Sequence, residues 1–274
     1  MNDDDAYSGF ISKEDRLVNI NDFISFSSLP REDNPRSFCV LYKAQRYNKW
    51  FVVKALKEQY RDNPQYQEFL KKEFLIMSNM EHNNIVKVFS FENNKDVGFC
   101  IVMEFIDGHT LNEFLKKDIP YNIKQKILKE LLSALSYIHS KQIMHRDIKP
   151  SNIIITFNGN NLKLIDFGFS DSDEFAILKQ PAGTKIYAAP EQKIEGGKID
   201  NRTDIYALGF IINSIFQGKK YISIIKKCQQ ENKEDRYNNV EEIIEDINKK
   251  NKNKFIYLYV LLFVAIAVCM AFFF

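Results

Sequence analysis

The stretch His145-Arg146-Asp147-Ile148-Lys149-Pro150-Ser151-Asn152 offers an acid, a cation and an amide close together, and Asp166-Phe167-Gly168, fourteen residues after Asn152, adds a second acid. Asp147 suits accepting a proton from an attacking hydroxyl. Lys149 suits neutralising charge on a phosphoryl group in transfer. Asn152 and Asp166 supply oxygens, the ligand type that hard Mg²⁺ prefers. Phosphoryl transfer asks a protein mainly for positioning and electrostatic stabilisation, so this set nearly suffices for that chemistry.

Elements must deliver these residues. A helix over about Asn122 to Lys141 carries one apolar stripe (Ile123, Ile127, Leu128, Leu131, Leu132, Leu135, Ile138) and ends just before the loop. Ile153 to Ile155 and Leu162 to Ile165 bracket Asn158-Gly159-Asn160, a hairpin signal that carries Asn152 in and Asp166 out. Upstream, strands are expected over Phe23 to Ser28, Phe38 to Ala44, Trp50 to Leu56, Ile85 to Phe91 and Phe99 to Phe105, with turns at Tyr47-Asn48-Lys49 and Glu92 to Asp96. Pro64 to Met80 reads as a helix, with Phe69, Phe74, Leu75, Met77 and Met80 on its apolar face. Asp204 to Phe216 is apolar nearly all round, as a buried helix is, and Val240 to Lys250 is amphipathic.

The two motifs resemble the catalytic loop and the metal-binding motif of eukaryotic-type serine/threonine protein kinases, and the resemblance runs from residue 20 to 248. It implies an α+β, two-lobed protein-kinase-like fold: a small antiparallel β-sheet lobe with a C-helix over about 20–103, and a larger, mostly helical lobe over about 108–248. It implies ATP and Mg²⁺ as cofactors, Asp147 and Lys149 as catalytic residues, and Asn152 and Asp166 as metal ligands at the nucleotide site. Lys54, in Phe51-Val52-Val53-Lys54, is similar to the strand lysine that holds the ATP phosphates. Glu73, nineteen residues later, is similar to its ion-pair partner, with Glu68 as the rival. Glu104 and Ile106 fall at the hinge whose backbone would bind adenine, with Met103 behind it. Gly183 to Glu191 resembles the end of an activation segment, where Ser170, Ser172 and Thr184 are candidate acceptors and Arg146 a candidate phosphate partner. Asp204 is expected to bond the catalytic-loop backbone, and Arg236 to pair with Glu191.

Charged residues make up 27% of the chain with a net charge of +2, which argues against a protein governed by a basic nucleic-acid field. Cys39, Cys100, Cys228 and Cys269 are widely spaced, so neither a zinc site nor a disulfide scaffold is indicated. Residues 1–19 read as a polar lead-in without a secretory signal. Residues 249–254 form a basic linker, with Lys249, Lys250, Lys252 and Lys254. Residues 255–274 are twenty without a charge, enough for a transmembrane helix of about 30 Å. Lysines flanking that end place it, and the kinase-like domain, on the cytoplasmic side. The expected partners are therefore the membrane and protein substrates with Ser or Thr acceptors, including a neighbouring copy phosphorylated in trans, with no nucleic acid.

Two features depart from the family pattern. The glycines that let backbone amides approach phosphate closely would fall at Asn34, Arg36 and Cys39, and none is glycine; Arg36 is a candidate replacement grip. The stretch Gln217 to Arg236 is short, with room for one helix over Lys219 to Gln230. The first departure leaves a second reading, a membrane-anchored pseudokinase acting as a nucleotide-binding or scaffolding module. A third, a small-molecule kinase, is opposed by Lys149 and the peptide-facing segment Gly183 to Glu191.

Overall fold

The computed structural model describes residues 23, 25–29, 37–168, 186–194, 196–217 and 220–250. The lead-in, Asn34 and Arg36, the segment with Ser170, Ser172 and Thr184, and the apolar stretch 255–274 lie outside the described residues. The chain divides into two units: one contains the residues up to Asn79 and Lys87–Phe105, the other Met80–Val86 and everything from Ile106 onward.

Among the described residues, the first unit is built on an antiparallel sheet and an α-helix. Strands β1 (Ser25–Ser28), β2 (Cys39–Arg46), β3 (Lys49–Leu56), β4 (Val88–Asn94) and β5 (Gly98–Glu104) lie in the order β1-β2-β3-β5-β4. Arg46 pairs with Lys49, so the β2–β3 turn is two residues, Tyr47 and Asn48. Both have positive φ (52° and 57°), the backbone that keeps a tight hairpin in step with strand twist. The expected three-residue turn is thus one residue too long, because Lys49 is already in the ladder. Phe23, Ala44, Val53, Ala55, Val97, Cys100 and Val102 form the core on one face. Arg46 caps it, with its guanidinium 3.8 Å from the Phe23 ring centre and paired to Glu92 through two bonds of 2.9 and 2.7 Å.

Helix α1 (Pro64–Ser78) starts as its sequence dictates: Pro64 opens the first turn and the Asn63 side chain accepts from the Gln65 N–H. Its buried face is Leu70, Glu73 and Met77, whereas Leu75 is 48% exposed. The apolar face is therefore rotated from the expected one. Leu70 supplies the packing assigned to Leu75, and a glutamate sits in the middle of the buried stripe.

A second correction concerns Ile85 and Val86. They are not the start of β4, which runs from Val88 through Asn94, past the expected end at Phe91 and into the expected turn at Glu92 to Asp96. They belong to the second unit, where Val86 N–H donates to Leu164 at 3.0 Å and Leu164 N–H to Asn84 at 2.8 Å. The apolar pair reads as a strand because Ile85 does bridge one, in parallel, at Leu164.

The second unit holds a small sheet and a set of helices. Strands β6 (Gly108–Thr110), β7 (Ile153–Thr156) and β8 (Leu162–Leu164) are antiparallel in that order. Gly108 is required where it stands, since a Cβ there would lie 2.3 Å from the Ile155 carbonyl oxygen. Short helix α2 (Leu111–Phe114) follows, opened by a capping box in which Thr110 and Glu113 satisfy each other's backbone N–H groups. Helices α3 (Tyr121–Ser140), α4 (Arg202–Phe216), α5 (Ile222–Cys228) and α6 (residues 240–250) complete the unit. The α3 stripe is buried from Ile127 to Ile138, and ten of the fifteen α4 residues are buried. α5 is the single helix expected in the shortened stretch. Among the described residues no helix is long and apolar enough to cross a membrane.

One buried ion pair locks α4, α5 and the approach to α6. Arg236 donates to Glu191 through two bonds of 2.8 and 2.9 Å and gives its other three N–H groups to the carbonyls of Gln230, Glu231 and Arg202. Removing one partner of such a pair costs about 3–5 kcal/mol, because the other charge stays buried. Burial opposes the charge on Glu191, but its bonds to Arg236, backbone and Thr203 outweigh it and hold the carboxyl below its ordinary range. Asp200 is held low in the same way by Arg202 and Lys233, against the cost of its burial. A depressed carboxyl contributes stability above its unfolded pKa, near 4, and loses it as pH falls through the folded value. The urea midpoint followed by circular dichroism should therefore be flat from about pH 7 to 5 and fall below about pH 4. A midpoint that rises on acidification would contradict these assignments.

Candidate active site

The catalytic-loop residues are held by one buried carboxylate. Asp204, in the first turn of α4, accepts the His145 N–H and the Arg146 N–H at 2.8 Å each, and His139 Nε2 donates to the same carboxylate at 2.8 Å. Burial works against its charge; the His139 bond and the proximity of His145 reverse this and keep Asp204 below the usual carboxylate range. His139, at the end of α3, is a functional residue that the sequence reading missed. A lone histidine on an otherwise apolar helix gives no spacing signal, and only Asp204's need for a buried partner points to it.

His145 is the second missed participant. It is buried, its Nε2 donates to the Ile165 carbonyl at 3.1 Å, and its ring lies 4.7 Å from that of Phe167. Those bonds leave Nδ1 as an acceptor for the Asp147 N–H at 3.4 Å. One imidazole thus ties the loop bearing Asp147 to the strand end bearing Asp166. Both flanks are held in left-handed backbone, Arg146 at φ 62° and Asp166 at φ 65°. Non-glycine residues adopt that conformation at a cost, and such positions cluster at functional sites.

Asp147 is pre-positioned on one side only. Asn152 Nδ2 donates to its carbonyl at 2.8 Å and to its Oδ2 at 2.9 Å, and Lys149 Nζ lies 3.0 Å from the same Oδ2. Oδ1 is left to meet an incoming hydroxyl. With both Asn152 amide hydrogens committed to Asp147, the Asn152 carboxamide oxygen is the atom left for a cation. The Ile165 N–H donates to the Asn152 carbonyl at 2.9 Å, which brings Asp166 next to Asn152 along the β7–β8 hairpin. That hairpin turns through Gly159 and Asn160, both at positive φ, and Lys126 on α3 bonds Gly159 O and Asn161 Oδ1 at 2.5 and 2.7 Å. Among the described residues no three His, Cys, Asp or Glu side chains gather as a metal cage. One carboxylate and one amide oxygen suit an ion that takes its remaining ligands from phosphate and water, as Mg²⁺ does.

The first unit carries its own part of the constellation. Lys54 on β3 donates to both Glu73 oxygens at 2.6 and 2.7 Å, and the two residues are only 5% and 4% exposed. Glu68, the rival partner, is exposed. An ion pair this buried is costly relative to apolar packing, so its presence argues for a role other than stability. Glu104 ends β5, with its N–H given to the Lys87 carbonyl at 2.8 Å, and Met103 is buried beside it. Ile106 begins the larger part of the second unit. At the one described position of the absent glycines, the Cys39 N–H is donated to Ser37 Oγ at 3.2 Å.

A family profile described as "Protein kinase domain" matches residues 37–259. The chain belongs to the protein kinase family. Its kinase domain is 33% identical over 187 residues to the probable serine/threonine-protein kinase CPE1738 of Clostridium perfringens, covering 66% of this chain and 27% of that protein. It is 32% identical over 190 residues to the serine/threonine-protein kinase PrkC of Bacillus subtilis, covering 65% of this chain and 29% of that one. The kinase-family chain thus matches less than a third of the length of these two relatives. The kinase domain of Mycobacterium tuberculosis PknI superposes with a TM-score of 0.63 at 20% identity, over 84% of this chain and 97% of that one, which speaks to the shared two-lobed fold alone. Strand β1, paired with β2 through Ser25–Gln45 to Ser28–Tyr42, precedes the matched span.

The buried pair makes a direct prediction for this kinase domain. Glu73→Gln leaves Lys54 opposite a neutral oxygen and frees it to drift, and misplacement of a positioning group by about 1 Å costs on the order of 10²-fold in rate. Phosphoryl transfer should fall by about that factor, and the melting temperature should fall as well, because the Lys54 charge is left buried beside a neutral partner. A steady-state assay beside a circular dichroism melt checks both.

Proposed function

We propose that the chain is an active serine/threonine protein kinase that uses ATP with Mg²⁺ and is tethered to a membrane by residues 255–274. The observation that carries the catalytic reading is the bonded set Asp147, Lys149 and Asn152, with one Asp147 oxygen left for a substrate. Asp147 Oδ1 orients the acceptor hydroxyl and takes its proton. Lys149, held 3.0 Å from Asp147 Oδ2, places a positive charge beside the transferring group. Lys54, fixed by Glu73, holds the donor's phosphates. Glu104 and Ile106 present backbone to the adenine. Asn152 and Asp166 would hold the metal ion, which offsets charge on the phosphates. Lys149 two residues after Asp147 supports Ser and Thr as acceptors.

Tethering rests on twenty uncharged residues preceded by four lysines, and it puts the kinase domain on the cytoplasmic side. Copies held on one membrane meet at high effective concentration, which favours phosphorylation in trans. A second reading, a nucleotide-binding pseudokinase, is favoured by Asn34, Arg36 and Cys39 standing where phosphate-cradling glycines are expected.

The test is the full chain in vesicles with labelled ATP, Mg²⁺ and a generic basic protein, followed by phosphoamino-acid analysis. Phosphoserine or phosphothreonine supports the kinase. Label confined to small hydroxyl compounds, or none despite nucleotide binding, overturns it. Release of the chain from vesicles by alkaline carbonate overturns the tether.

A further inference from the structure

Four helix ends converge at one pole of the second unit. His139 meets Asp204, so α3 and α4 run antiparallel and the start of α3 lies at the end of α4, where the Tyr121 and Phe216 rings are 6.0 Å apart. Ser136 bonds Glu241, so the start of α6 lies near the end of α3. Lys250 bonds Ser223, so the end of α6 meets the start of α5. This pole presents Tyr121 (47% exposed), Ile222 (48% exposed), Lys220, Lys249 and Lys250. Lys220 lies over the Tyr121 and Tyr221 rings, with centroid distances of 4.7 and 5.0 Å. An aromatic with a polar tip, an aliphatic side chain and several lysines make the composition that sits at a membrane–water boundary.

Charge is also sorted along α6. Glu241, Glu242, Glu245 and Asp246 occupy its first two turns, and Lys249 and Lys250 its last. Only residues 251–254 separate Lys250 from the uncharged stretch, and five Cα steps reach at most about 18 Å. The pole therefore stands within headgroup distance of any bilayer that holds residues 255–274.

We propose that this pole is a membrane-contacting face for anionic lipid headgroups, so that the second unit stands on the bilayer with its catalytic loop at the far end of α3. At about 1.5 Å per residue the twenty residues of α3 hold that loop about 30 Å above the face. The acceptors within reach are then segments at that height, on tethered neighbours or soluble proteins, rather than residues at the lipid surface. The proposal rests on the tether reading.

The test is lysine acetylation footprinting of the full chain, read by mass spectrometry, in vesicles of phosphatidylcholine alone and with about a third phosphatidylserine. Flotation of the vesicles is run beside it. Lys220, Lys249 and Lys250 should label roughly fivefold more slowly on the anionic vesicles, with the difference lost in high salt. Lys141, at the opposite end of α3, should label equally on both. Equal labelling of the three lysines in a chain that floats with the vesicles overturns the face and leaves the tether standing. A chain that does not float overturns the tether, and the face with it.

Discussion

Asp147→Asn should lower phosphoryl transfer by about 10³-fold while leaving the melting temperature within about 2 °C of the parent. The side chain keeps its size and still bonds Asn152, so the loop geometry survives. What is lost is the charge that Lys149 faces at 3.0 Å and that is proposed to take the hydroxyl proton. Nucleotide affinity should be nearly unchanged, because Asp147 meets the acceptor and not the donor. The checks are single-turnover transfer from labelled ATP and a nucleotide titration on the same preparation. A variant that transfers at the parent rate would remove Asp147 from the chemistry.

Asp204→Asn should act in the opposite pattern, through the fold first. The carboxylate accepts three N–H donors, from His139, His145 and Arg146, and is 1% exposed. A carboxamide has one oxygen and an NH₂ group, so at least one donor is left facing another donor in a dry site. That costs about 3 kcal/mol, which in a domain of this size lowers the melting temperature by about 6–12 °C. The loop is then no longer pinned at His145 and Arg146, and transfer should fall by about 10²-fold. Circular dichroism melting together with a transfer assay below the new midpoint separates the two effects. An unchanged melting temperature would contradict the assigned network.

The sequence made the site legible wherever one motif fixes the register of another. Lys54 with Glu73, Asp204 with the loop backbone, and Arg236 with Glu191 were all placed by resemblance to the motifs of the kinase family, and the geometry brings each pair together. Periodicity alone did less well. On α1 it counted Leu75 as core because large apolar residues were weighed and Glu73 was not, yet the buried glutamate marks the face. At Ile85-Val86 an apolar pair looked like the start of β4, although the pair and its partners on β8 both belong to the second unit. Strand pairing is non-local, so a short apolar run cannot say which neighbour it serves. The capping box of Thr110 and Glu113 was written in the sequence and went unread. His139 was not, since its role exists only once α3 and α4 run antiparallel.

Burial pushes the Cys100 and Cys228 thiols up to about 12, which keeps both protonated at neutral pH, as small apolar groups in the core.

If the charged set at the catalytic loop performs transfer without a glycine cradle, the catalytic step must run once nucleotide is bound. The measurement that tests this most directly is Mg²⁺-dependent transfer of the γ-phosphate by the full chain, taken at saturating nucleotide. Saturation removes the effect of a weak phosphate cradle on binding and leaves the catalytic step. Turnover should rise with nucleotide to a plateau and disappear on chelating the metal. A thermal shift with ATP and Mg²⁺ but no transfer at any nucleotide concentration would contradict this and leave a nucleotide-binding pseudokinase.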